Sequence, residues 1–97
     1  MGRFQFGSLT TTPTIKSVMA KDQQFRRFVT KSFEQHVNCE WGMADKETKE
    51  QNEQAVVKNS GIISSLYYYN NGEKIVRIKT DLDKEKTLVL FFDEISI

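Results

Sequence analysis

One cysteine, one proline, one histidine and one tryptophan occur among 97 residues. A single thiol, Cys39, forms no internal disulfide, so a reducing cytoplasmic setting is expected. No apolar run approaches the roughly 20 residues of a membrane span. The opening residues lack the apolar stretch and small-residue cleavage site of a signal peptide. Phe6 stands where myristoylation calls for Ser or Thr, so acylation is not expected either. An excess of one charge is missing too. The net charge is +1, which excludes both a strongly basic nucleic-acid binder and an acidic mimic of DNA. Glycine-rich phosphate loops, carboxylates paired at a defined spacing and nucleophile elbows are all absent.

What is present describes an ordinary globular chain, 38% apolar and 28% charged. Its length suits one domain, residues 1–97, with a single core. No linker, repeat or low-complexity segment divides it. Charge is uneven: residues 1–39 hold six Lys/Arg against two Asp/Glu, and residues 40–59 hold three against five.

The patterning reads as α+β. Phe4, Phe6 and Leu9 alternate with polar residues, a short strand signal. Thr12-Pro13 opens a helix that runs to about Met19 and buries Ile15, Val18 and Met19. Asp22 caps a second helix. In it Phe25, Phe28, Val29, Phe33, His36 and Val37 form one stripe, leaving Arg26, Arg27, Lys31 and Glu34 to solvent. Asn38 stops this helix. Asp45 to Lys58 is a polar helix with a thin apolar side, ended by Asn59-Ser60-Gly61.

The last third is strand-rich: Ile62 to Tyr69, a hairpin at Asn70-Asn71-Gly72, Lys74 to Thr80, a polar turn over Asp81 to Glu85, and Lys86 to Phe92. The expected architecture is an N-terminal strand and three helices packed on one face of an antiparallel C-terminal β-meander.

His36-Val37-Asn38-Cys39-Glu40-Trp41-Gly42 gathers the only His, Cys and Trp within six positions, with Asn52 ten residues beyond the glycine. With Glu47, Ile63, Ser65, Tyr67, Thr80, Asp83 and Thr87, these positions resemble a family of small uncharacterised proteins carried by plasmids, phages and other mobile elements. The family pattern runs His, two variable residues, Gly-Asp-Trp-Gly, an acidic stretch ending in Asn, Ile-Leu-Ser-Ala-Tyr, a hairpin and Thr-Glu-x-Asp-Arg. Cys39 and Glu40 replace the Gly-Asp, Asp81 the Glu, Lys84 the Arg, and Arg77 falls where the family has Trp. Lys84 lacks the bidentate fork of an arginine. The resemblance implies a genomic setting and no chemistry.

His36 and Cys39 admit two readings. As metal ligands they need partners, and only Glu40 and Asp45 are close in sequence. As a nucleophile and base they need an oxyanion hole and an orienting group. The structural alternative is that His36 closes its helix onto a loop carbonyl while Trp41 plugs the core beside Gly42. Glu47, Asn52, Ser65, Thr80, Asp83 and Thr87 suit one polar pocket beside His36, or equally capping and turn chemistry, with Asp83 and Thr87 closing a hairpin. Alternation puts Tyr67 and Tyr69 on one strand face and Tyr68 on the other, so two tyrosines at most share a stacking surface.

The expected function is that of a non-enzymatic protein-binding module from a mobile element, such as an anti-CRISPR or anti-restriction inhibitor of a host defence complex. The expected contacts are His36, Trp41, Glu47, Asn52, Tyr67, Tyr69, Arg77 and Asp83, with no catalytic residue, metal or cofactor. A nucleic-acid binder using the basic helix face and the strand tyrosines is the alternative. The polar third helix and the exposed sheet face or edge are the candidate surfaces.

Overall fold

Thr12 opens α1 (Pro13–Lys21) by accepting a hydrogen bond from the Ile15 amide at 3.3 Å, with Pro13 at the first helical position. The structure, a computed structural model, describes residues 3–94. The Asp22 amide still donates to Val18, so α1 runs one half-turn beyond Met19. Asp22 then caps α2 (Gln23–Val37), its carboxylate 3.1 Å from the Phe25 amide. Phe25, Val29, His36 and Val37 of the stripe are buried and Phe28 and Phe33 half-buried, while Arg26, Arg27, Lys31 and Glu34 are exposed. Asp45 caps α3 (Lys46–Lys58), and Asn59 ends it at φ 56°.

Four strands follow this frame: β1 (Ser8–Thr11), β2 (Ile62–Tyr69), β3 (Lys74–Asp81) and β4 (Lys86–Phe91). β2, β3 and β4 form the expected antiparallel meander. The N-terminal strand departs from expectation. It does not lie on the face of the meander but joins the sheet beside β4, in parallel, giving the order β1-β4-β3-β2. Phe4 and Phe6 precede it. Gly7, at φ 68° and pressed against the Glu85 carbonyl, breaks the extended run, so both rings turn under the helices. Phe6 meets Phe33 edge-on at 4.9 Å.

Side chains alternate across the strands, so cross-strand partners share a face. One face carries Tyr67, Val76, Ile78 and Val89, which pack with Ile15 of α1 and Phe25 and Val29 of α2. A second cluster joins Trp41, Ala44 and Ala55 to Ile63 and Leu82, with Phe4 and Cys39 against it. It fixes α3 beside β2. The other sheet face holds the rows Ile62–Asp81–Lys86, Ser64–Lys79–Leu88 and Leu66–Arg77–Leu90. Among the described residues no helix covers this face.

Candidate functional site

The residues singled out by sequence separate into an interior group and a surface group. His36 projects from the last turn of α2 into the interior, where it is fully buried. Its Nδ1 lies 2.5 Å from the Ser65 hydroxyl of β2 and its Nε2 2.9 Å from the Thr80 hydroxyl of β3. Thr80 is 2.7 Å from Thr87 of β4, and Thr87 donates to the Phe6 carbonyl at 2.7 Å. The direction of the chain as far as the imidazole follows from its end, because a carbonyl only accepts. Thr87 gives its proton to Phe6 and so accepts from Thr80. Thr80, its proton spent, accepts from Nε2–H. Burial lowers the His36 pKa from 6.5 to about 3 and so keeps the ring neutral. The neutral Nε2–H tautomer leaves Nδ1 to accept from Ser65.

Aromatic edges close the pocket: Phe4 and Trp41 stand 5.5 Å and 5.9 Å from the imidazole, both T-shaped. Trp41 is buried, with its indole N–H donating to Glu53 at 3.0 Å. The expected loop-carbonyl partner of His36 is replaced by two strand hydroxyls. That occupies both ring nitrogens, so His36 and Cys39 do not form a nucleophile–base pair. Burial also raises the Cys39 thiol above its ordinary pKa, Arg3 opposing and Glu53 adding. Among the described residues no group of three or more His, Cys, Asp or Glu is placed to hold a metal ion.

Asn52, also buried, spans the edge of β2. Its amide donates to the Ser64 carbonyl at 2.7 Å and accepts from the Ser64 amide at 3.0 Å, imitating a neighbouring strand. Two residues along, the Met43 amide donates to Leu66 and the Leu66 amide to Trp41. Gly42 sits at that crossing with φ 64°, and a Cβ there would stand 2.1 Å from the Leu66 carbonyl oxygen.

Tyr67 and Tyr69 do share a face, but it is the helix side. Tyr67 is buried and donates to the Glu40 carbonyl at 2.7 Å. Burial pushes its phenol well above the ordinary pKa, with Ser65 opposing and Glu40 adding. Tyr69 lies edge-on to Phe25 at 5.3 Å. Asp83 does not close a hairpin with Thr87. It accepts from the Ser60 hydroxyl and the Gly61 amide, tying the β3–β4 turn to the end of α3. Glu47 is exposed in the first turn of α3.

Arg77 alone among the expected contacts lies on the helix-free face. Its guanidinium sits 5.1 Å over the Phe92 ring, and its Nε is buried with no hydrogen-bond partner among the described residues. Phe92 is 48% exposed, Tyr68 46% and Ile62 49%, making a mixed apolar and cationic surface with Lys79 and Lys86. Sequence reading overlooked Ile62, Phe92, Lys79 and Lys86 here. Strand alternation signals Lys79 and Lys86, but only the β3–β4 register places Phe92 near Arg77. No protein-family model matches the chain, and neither a curated protein nor a solved structure matches it.

Proposed function

We propose that the protein is a non-enzymatic binding module that presents the helix-free face of its sheet to a protein partner. One observation carries this reading: Tyr68 and Phe92, each about half exposed, flank Arg77 on a face that no described helix covers, with exposed Ile62 further along it. Exposed apolar surface rimmed by charge favours association, and aromatic and Arg side chains are the usual anchors. His36, Trp41, Asn52 and Tyr67 are buried, so they serve by holding the sheet and α3 in place. Catalysis by His36 is disfavoured because no substrate atom reaches its nitrogens without displacing the Ser65 and Thr80 hydroxyls. The narrower reading, an inhibitor of a host defence complex acting by occupation of a protein surface, is supported by the sequence resemblance alone.

Immobilised protein challenged with purified Cas effector and restriction complexes tests both levels. Retention of one complex, weakened at least about tenfold by Arg77→Ala with Phe92→Ala, is the expected result. Retention unaffected by those changes but abolished by Glu47→Lys would move the site to α3. No retention of any complex would remove the defence-inhibitor reading.

Tyr68 and Phe92 beside Arg77 and Lys79 also suit stacking of a single strand of nucleic acid. The basic face of α2 does not contribute, since Arg26, Arg27 and Lys31 lie on the opposite side of the molecule from Tyr68. Lack of retention on single-stranded DNA at low salt would exclude this second reading.

A further inference from the structure

The two edges of the sheet are finished differently. On β2 the outward backbone groups of Ser64 are taken by Asn52, and those of Leu66 by Trp41 and Met43. On β1 the Ser8 and Thr12 amides donate inward, to Glu85 and Val89. Alternation then directs the N–H and C=O groups of Leu9 and Thr11 away from the sheet. Among the described residues nothing bonds to them. Natural edges are usually guarded by charge or proline, yet residues 4–12 carry neither, and no charge lies between Arg3 and Lys16. Among the described residues one edge is closed at two successive positions and the other is left open.

What lies beside the open edge selects an occupant. On the helix-free side Thr10 and Leu88 border a cleft of about 340 Å³ where Lys79, Lys84 and Lys86 face a single carboxylate, Asp81. On the helix side Leu9 is 47% exposed. We propose that the free edge of β1 binds an extended segment of a partner protein in which acidic and apolar residues alternate, by strand addition. A strand paired to β1 lies two strand spacings from β4, on the order of 10 Å, which a Lys and a Glu side chain span together. Its side chains flanking Ser8 and Thr10 reach Lys84 and Lys86, and the alternate set covers Leu9. A one-residue slip would put acids over Leu9, so the pattern also fixes the register. A second copy of the chain fits less well, because its own β1 offers no acidic residue to the lysines.

This inference rests on the protein-binding reading and specifies a second contact beside the sheet face. The probe is a blocked, labelled seven-residue peptide alternating Val and Glu. Two controls accompany it: its Val–Lys counterpart, and the Val–Glu peptide N-methylated at its edge-facing amides. Saturable binding of the Val–Glu peptide is expected, with amide shifts centred on Ser8–Thr11 and slowed exchange at Leu9 and Thr11. Both controls should bind at least about tenfold more weakly. Lys84→Glu with Lys86→Glu, both exposed positions, should reverse the preference towards the Val–Lys peptide. Equal binding of the control peptides, absence of saturable binding, shifts centred elsewhere, or dimerisation of the peptide-free protein through β1 would each overturn the proposal. If the peptide fails while a protein complex is still retained through Arg77 and Phe92, strand addition alone is wrong. Failure of both experiments removes the parent reading as well.

Discussion

His36 is the residue on which the interior turns, and its role is set by proton count more than by reactivity. Four side chains and one carbonyl form a single chain of hydrogen bonds, and burial keeps the imidazole within it neutral. The unfolded chain takes up a proton at His36 near pH 6.5, whereas the folded chain does so near 3. Between those values the unfolded state binds more protons, so stability falls as pH falls, by up to about 1.4 kcal/mol per pH unit. Above 6.5 the contribution is complete. Urea unfolding between pH 7 and 5 should show this slope, and His36→Gln should flatten it while lowering stability throughout. Asp45 and Glu73, whose carboxyls are held below their ordinary values by hydrogen bonds, add their dependence only at lower pH. A wild-type protein equally stable at pH 7 and 5 would contradict a buried neutral His36.

At the scale of elements, α3 is held less by its own apolar surface than by what it does to β2. Of the described helix only Asn52 and Ala55 are buried. Asn52 supplies the two hydrogen bonds that an adjoining strand would supply, so a polar helix can lie against a sheet edge and close it. Asn52→Ala would leave the amide and carbonyl of Ser64 without partners, at an expected cost of about 2–4 kcal/mol. It would also open that edge to association. Asn52→Asp should not rescue, since a carboxylate has no proton for the Ser64 carbonyl. Urea midpoints with light scattering would check both effects, and an Asn52→Ala protein of unchanged stability and monomeric state would refute the edge-closing role.

At the scale of the molecule, the segment ahead of α1 links parts that sequence leaves far apart. The Arg3 amide donates to Val37, Phe4 packs on His36 and Trp41, Phe6 meets Phe33, and β1 pairs with β4. Removal of residues 1–11 would take the last acceptor from the His36 chain and bare the edge of β4. The truncated chain is expected to lose cooperative thermal unfolding and to bind a hydrophobic dye, as monitored by circular dichroism and fluorescence. A cooperative, monomeric truncated protein would show that this segment is dispensable.

Local chemistry made most elements legible in the sequence. Thr12-Pro13, Asp22 and Asp45 open helices because their side chains satisfy the first free amides. Asn70-Asn71-Gly72 turns the hairpin because all three positions take positive φ, at 53°, 59° and 95°. Period-two alternation assigned Val76 and Ile78 to the core and Arg77 to the opposite face. What depends on pairing across long separations was not legible. The parallel union of β1 with β4 and the partners of His36, 29 and 44 residues away, follow from strand register and helix docking, which a local pattern does not encode. For the same reason the sequence left His36, Trp41, Asn52 and Tyr67 open between partner contact and structural support, and the fold buries all four. The sequence by itself determined which residues form helices and strands and which side of each is apolar. Only the tertiary structure decided that, among the described residues, one sheet edge is closed, the other open and one face without a helix over it, because those properties belong to the juxtaposition of elements and not to any of them singly.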